Sequence, residues 1–191
     1  MVYPNPLRRN FIPLSKRQTQ RGTNRRRTFS IEWATPDGIY KPMNHIFDFT
    51  LDAAASADNA KTALYFDRKI NGLTADWSGH RVWINPPYDE TLGAWVRRAH
   101  MSVTSREAEM VLMLLPARTG RPWFHDHCLS EACSRRFVRG RICFIPYDGA
   151  AATSAMEDSI LCFFRDRQAL GSHPTWERSF ELAKLEPRLI T

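Results

Sequence analysis

Seven consecutive apolar residues, Met110–Pro116 (MVLMLLP), limit the folds open to this chain. An unbroken run of this length is expected of a strand buried on both faces, which requires a covering layer on each side of its sheet. The neighbouring segments can supply those layers. FDFTLDAAA (47–55) alternates and then ends in small residues, which predicts a strand entering a tight loop. ALYF (63–66) is a short strand candidate followed by a turn at Asn71-Gly72, and RVWI (81–84) is a further strand. Leu92, Trp95, Val96, Ala99 and Val103 recur at helical spacing, with Arg97 and Arg98 outside and Asp89 as N-cap. WFHDHCLSEAC (123–133) reads as another helix, and RRFVRGRICFIP (135–146) and SILCFFR (159–165) as later strands. Strands alternating with helices predict an α/β sandwich with a largely parallel sheet, whose ligands sit beyond the carboxyl ends of the strands. Both LDAAAS and NPPY fall at such ends, so one shared site is expected.

The strand RVWI runs directly into Asn85-Pro86-Pro87-Tyr88. Two prolines exclude both helix and ladder pairing, leaving a stiff corner whose carbonyls can be aimed at a ligand. The Asn85 side-chain oxygen and the Pro86 carbonyl can accept both hydrogens of an exocyclic NH₂, while Tyr88 stacks on the ring that bears it. Base–aromatic stacking contributes roughly 1–3 kcal/mol, comparable to the cost of extruding a base. An aromatic amine is a poor nucleophile because its lone pair is delocalised. Acceptors out of the ring plane draw the nitrogen toward tetrahedral geometry and free that pair, so no basic side chain is needed. A strong electrophile must then be held in line. The plain alternative is a Pro-Pro turn that only ends a strand.

Charge is unevenly placed. The chain of 191 residues carries a formal net charge of +7, yet residues 1–30 hold eight basic side chains and no acid. The other 161 residues hold 19 basic and 20 acidic groups, close to neutral. The arm includes Arg25, Arg26 and Arg27 and prolines at 4, 6 and 13. It reads as a flexible segment attracted to nucleic-acid phosphate, or as a solubilising tail. Its prolines argue against the amphipathic helix of a transit peptide. No apolar run reaches the roughly 18 residues of a membrane span, and the four cysteines lack CxxC spacing, so reduced thiols in a cytoplasm are expected.

In order along the chain, EWATPDGIY, FTLDAAASADNA, LTADWSGHRVWINPPY, LLPARTGRPWFHDH and RFVRGRICF resemble the phage-type (Dam-like) DNA N6-adenine methyltransferase family. The resemblance runs from about residue 31 to 165 and implies a Rossmann-like class I methyltransferase sandwich with a mostly parallel sheet. It implies S-adenosylmethionine as cofactor, DNA as partner, adenine N6 as the methylated atom, and a flipped target base. Asn85, Pro86, Pro87 and Tyr88 match the catalytic loop. Trp33, Thr35 and Pro36, the loop Asp52, Ala53, Ala54 and Ala55, and the pair Asp76 and Trp77 match segments that hold the cofactor. Arg118, Arg139 and Arg141 match positions beside the cleft, where they join the arm as DNA contacts. The loop LDAAASADNA lacks the glycines usual in methyltransferases, and Asp58 and Asp67 are the candidates for the cofactor ribose.

The expected organisation is an arm (1–30), a catalytic domain (31–170) and a C-terminal extension (171–191), in a phage- or prophage-encoded protein of the bacterial cytoplasm. Methylation would serve protection from restriction or regulation. Rival readings are cytosine N4 methylation, methylation of RNA or of a protein amide, and an inactive nucleic-acid-binding relative. Cytosine C5 chemistry is disfavoured because no cysteine follows a proline. His125, His127, Cys128 and Cys133 do not have the spacing of a structural zinc site, so no metal is expected.

Overall fold

The computed structural model describes residues 33–130, 132–146 and 153–166. Arg25, Arg26 and Arg27, with the rest of the basic arm, and the extension 171–191 lie outside the described residues. In chain order the elements are β1 (Trp33–Ala34), α1 (Asp37–Phe47), β2 (Leu51–Asp52), β3 (Arg81–Ile84), α2 (Leu92–Thr104) and β4 (Met110–Pro116). A π-helical turn (Phe124–Cys128) then leads to β5 (Cys133–Phe137), β6 (Cys143–Pro146), β7 (Thr153–Ser154) and β8 (Ser159–Arg165).

The central sheet has the order β2-β3-β4-β8-β5. All seven residues of β4 are buried, and its alternate side chains feed two cores. Val111, Met113 and Leu115 join α2 (Leu92, Trp95, Val96, Ala99, Val103) and the π-helical turn on one face. Met110, Leu112 and Leu114 join α1 (Ile39, Tyr40, Met43, Phe47) and Phe144 of β6 on the other. β8 divides in the same way: Ile160, Cys162 and Phe164 go one way, Leu161 and Phe163 the other. Each fully buried large apolar side chain contributes about 1.5–3 kcal/mol, so the two central strands dominate the stability of the sandwich.

The sheet is mixed, which corrects the expectation of a largely parallel one. β2 pairs parallel with β3 and β3 with β4, whereas β8 is antiparallel to both β4 and β5. The cause is the connection into β8. A parallel neighbour needs a crossover to the far end of the sheet, usually a helix. Here the chain leaves β5 into a small second sheet of order β1-β6-β7 and comes back at the end it left, where the Val138 N–H donates to the Ser159 carbonyl at 3.0 Å. β8 therefore has to run in reverse.

Three local expectations also change. RRFVRGRICFIP is two strands in different sheets, separated at Gly140, whose φ of 78° turns the chain. The 123–133 segment forms a five-residue π-helical turn instead of a full helix. Helix α1 had no expectation because Pro42 lies inside it, removing the N–H that would reach the Gly38 carbonyl. The helix persists because its buried face is anchored in the second core. α2 follows its expected apolar spacing, while Asp89 lies two positions before the N-cap, Thr91. Its carboxylate accepts from the N–H and hydroxyl of Thr91, the residue that precedes the helix, at 2.8 and 2.6 Å.

Candidate active site

β3 ends at Ile84, and the next residues form the stiff corner. The Asn85 Nδ2 donates to the main-chain carbonyl of Trp33 at 3.3 Å. Of the two ends of the amide only the NH₂ can donate to a carbonyl, so this contact fixes the amide and leaves Oδ1 facing away. That oxygen is buried and has no hydrogen-bond partner among the described residues. Unpaired buried acceptors are rare because each costs roughly 1–3 kcal/mol, and one in a cleft points to a donor that arrives with a ligand. Pro86 is buried and Pro87 lines the cleft. Tyr88 is half-buried and packs against both core clusters. Its hydroxyl donates to the Leu114 carbonyl at 3.4 Å and its ring meets Phe144 edge-on at 6.2 Å, so the aromatic face is held at a set angle. Burial pushes its phenol well above the ordinary range, so it stays neutral.

Asn85 and Pro87 form one wall of a cavity of about 230 Å³. The opposite walls come from Ala53–Ala55, Phe66–Arg68 and Asn71–Leu73, with Thr91 and Trp95 from the start of α2. The alanine loop is pinned on both sides. The Ala53 N–H donates to the Trp83 carbonyl at 3.1 Å and the Ala55 N–H to the Phe66 carbonyl at 3.0 Å. Asp52 is buried beneath it, and its carboxylate accepts from the N–H groups of Lys61 at 3.0 Å and Ala54 at 3.4 Å. Burial is the main cause raising Asp52 to about 6, against the lowering effect of those two N–H groups. ALYF contributes a bridge from Tyr65 to Asp52, so it runs parallel to β2 at the sheet edge and delivers Asp67 to the cavity.

The loop has no glycine, yet the close approach it requires exists. Gly72 lies so near that a Cβ there would stand 2.0 Å from the Ala53 carbonyl oxygen and 3.0 Å from the Trp95 ring. The missing glycine is thus supplied by a facing segment. Asn71 before it adopts φ 57°, the left-handed region that Asn tolerates better than most residues. The alanine walls, the Gly72 approach and an acidic residue at a strand end are features a nucleoside-bearing ligand such as S-adenosylmethionine would fit.

The structure brings Trp33 to the Asn85–Tyr88 corner through its carbonyl, and Ala53, Ala54, Ala55, Asn85 and Pro87 to one cavity. Thr35 is buried and Pro36 caps α1, its carbonyl accepting from the Ile39 and Tyr40 N–H groups at 3.0 and 3.1 Å; neither lines the cavity. Asp76 and Trp77 stand apart from it. Asp76 is fully exposed and caps its own turn through Ser78, which holds its carboxyl below the usual range. Trp77 is a core residue whose Nε1 donates to the Gly72 carbonyl at 3.0 Å, with the Arg98 guanidinium 4.4 Å over its ring. Arg98 was expected outside the helix, but it pairs with Glu107 and the Ala75 carbonyl instead. Arg118 is clamped by both carboxylate oxygens of Glu157 at 2.7 and 2.9 Å. Arg139 and Arg141 are exposed on the turn after β5. His127 faces His100, Nδ1 to Nδ1 at 3.0 Å, while Cys128, Cys133 and Cys162 lie buried in one core. Among the described residues no three His, Cys, Asp or Glu side chains are grouped to hold a metal ion.

Residues 22–181 match the DNA N-6-adenine-methyltransferase (Dam) family. The chain belongs to that family. A DNA N-6-adenine-methyltransferase of Haemophilus phage HP1 is 31% identical over 144 residues, covering 73% of this chain and 82% of that protein. A DNA N-6-adenine-methyltransferase of Escherichia phage T1 is 29% identical over 108 residues, covering 56% of this chain and 44% of that protein. Phe66, Asn71 and Gly72 line the cavity and Glu157 binds Arg118; the sequence offered Asn71-Gly72 only as a turn and Phe66 only as part of a strand, and it gave Glu157 no role. Asp67 was visible only as one of two acids.

Proposed function

We propose that this Dam family chain transfers a methyl group to N6 of adenine in DNA. The observation that carries the reading is the buried Oδ1 of Asn85, an acceptor with no hydrogen-bond partner among the described residues, on a residue that lines the cavity. The exocyclic amine of an adenine turned out of the duplex supplies the missing donor. Asn85 Oδ1 and the Pro86 carbonyl take its two hydrogens, and Tyr88 stacks on the purine. Once methylated, the nitrogen is cationic and gives up a proton without help from a base.

The Ala53–Ala55 loop and the Asn71–Gly72 turn would hold S-adenosylmethionine, with Asp67, in preference to Asp58, toward its ribose. When bound, that cofactor supplies the electrophilic methyl group. The protein's contribution is alignment, which can account for a large part of the barrier when reacting atoms are held at near-attack distance. A Rossmann-like layering is supported by the direction of β2, β3, β4 and β5, which run the same way with β8 alone reversed. Residues 1–30 serve as a DNA-contacting arm, 31–170 as the catalytic domain and 171–191 as an extension. Arg139 and Arg141 contact the duplex beside the cleft. The phage relatives support a cytoplasmic place of action, where the DNA is; no helix of the described residues is long and apolar enough to cross a membrane.

The test is incubation with labelled S-adenosylmethionine and DNA, RNA or protein, followed by mass spectrometry of the digested product. N6-methyladenine from DNA supports the reading. Label confined to N4-methylcytosine, RNA or protein would sink it.

A further inference from the structure

Met156 is the most exposed large apolar side chain among the described residues, at 88%. An exposed methionine on a loose loop would mean little, but this one is mounted at four points. The Ala155 N–H before it donates to the Ile142 carbonyl at 2.8 Å, and Ala155 packs against the second core. Glu157 after it is bound through both carboxylate oxygens to Arg118, at 2.7 and 2.9 Å. The Asp158 carbonyl accepts from the Ala117 N–H at 2.8 Å. The same Arg118 extends Nη1 to within 3.5 Å of the Tyr88 carbonyl, so the methionine's turn and the stacking residue share one guanidinium. Arg141 stands 3.9 Å from Asp158, so each of the two acids that follow Met156 has an arginine partner, and Arg139 is exposed on the same turn as Arg141.

We propose that Met156 enters the base stack of the duplex as the adenine leaves it, and that the Arg118–Glu157 pair holds this wedge in register with the catalytic loop. The inference rests on the reading of the corner as the adenine's seat. Apolar wedges offset unstacking by filling the space between base steps, and methionine suits this use because its unbranched side chain adapts to an irregular gap. Arg118 is then a positioning residue and not a phosphate contact. Its charge is already satisfied by Glu157, and its reach is toward the catalytic loop.

The experiment uses the full chain and a duplex containing a sequence that the wild type marks, identified by sequencing methylated DNA. The target adenine is placed opposite thymine in one duplex and opposite an abasic position in another. Met156→Ala lowers kcat/KM on the paired duplex by about tenfold or more, because the cost of opening the pair is no longer offset. On the unpaired duplex the deficit shrinks to less than about threefold, since little opening cost is left. Met156→Leu retains most of the duplex rate. Glu157→Gln, which loosens the mount, shows the same dependence on pairing, and its DNA affinity does not rise as it would if Glu157 were masking a phosphate-binding arginine. An equal deficit of Met156→Ala on both duplexes, or no deficit on either, overturns the proposal. If the wild type marks no adenine in DNA at all, the reading of the corner falls first. That failure is distinct because it does not depend on the variant.

Discussion

Replacing Asn85 by alanine separates chemistry from stability. On the folding side two effects oppose each other. The change removes a buried acceptor with no partner, relieving roughly 1–3 kcal/mol, and it removes the long 3.3 Å bond to the Trp33 carbonyl, costing roughly 0.5–1.5 kcal/mol. The net change should lie between about 2.5 kcal/mol stabilising and about 0.5 kcal/mol destabilising, which for a chain of this size is a shift in Tm of no more than about 10 °C. On the chemical side the loss is one-directional. Removing a single preorganised polar group that acts in the transition state costs about 10²- to 10³-fold in kcat. The expected result is a hundredfold or greater fall in single-turnover methyl transfer, with a small Tm shift and cofactor binding retained. Differential scanning fluorimetry, calorimetric titration of S-adenosylmethionine and quantified N6-methyladenine read the three quantities. A rate within about threefold of wild type would refute the two-acceptor account. A large drop in Tm with parallel loss of cofactor binding would show Asn85 to be a structural residue whose orphan oxygen has no chemical meaning.

Other outcomes follow from the same geometry. Gly72→Ala must displace either the Ala53 carbonyl or its own segment, so cofactor affinity should fall by at least about tenfold while DNA binding is kept; unchanged affinity would show that the two segments yield easily. Asp52 has a folded-state pKa of about 6 against an ordinary 3.8, so ionising it penalises the folded state. The penalty is absent below about pH 4, grows up to about pH 6 and is full above that, at roughly 3 kcal/mol for a shift of about two units. The Tm of wild type relative to Asp52→Asn should therefore fall as pH rises from 4 to 7, and parallel curves would refute the assignment. Tyr88→Phe keeps the ring and loses only the bond to the Leu114 carbonyl, so it should retain most activity while Tyr88→Ala does not; equal loss in both would place the hydroxyl in the reaction. Deleting residues 1–29 should weaken DNA binding and lower its logarithmic salt slope by up to about seven units for eight basic groups, and an unchanged slope would make the arm a tail.

The parts of this molecule that were legible in the sequence are those fixed by local pattern. Seven apolar residues in a row had to be a doubly covered strand, and the apolar spacing after Thr91 had to be a helix, because burial imposes those periods whatever surrounds them. The stiff corner after β3 was legible because proline pairs leave few conformations. What stayed hidden depends on approach between distant segments. Gly72 against Ala53, Trp33 against Asn85 and Glu157 against Arg118 are separated by 19, 52 and 39 positions respectively, and no local period reports them. Asp76 and Trp77 show the converse. Their order along the chain resembled that of cofactor residues, but an acid followed two positions on by serine makes a self-capped turn, and a tryptophan with an arginine stacked on it makes core. The reversed β8 was hidden because a strand's composition does not record its direction.

Tyr88 packs against both core clusters, one on each side of the sheet. Its ring has a defined orientation only when the layer carrying α2 and the layer carrying α1 are both assembled, since each supplies part of its surroundings. A chain with only one layer formed supplies only part of those surroundings and leaves the orientation of the ring unset.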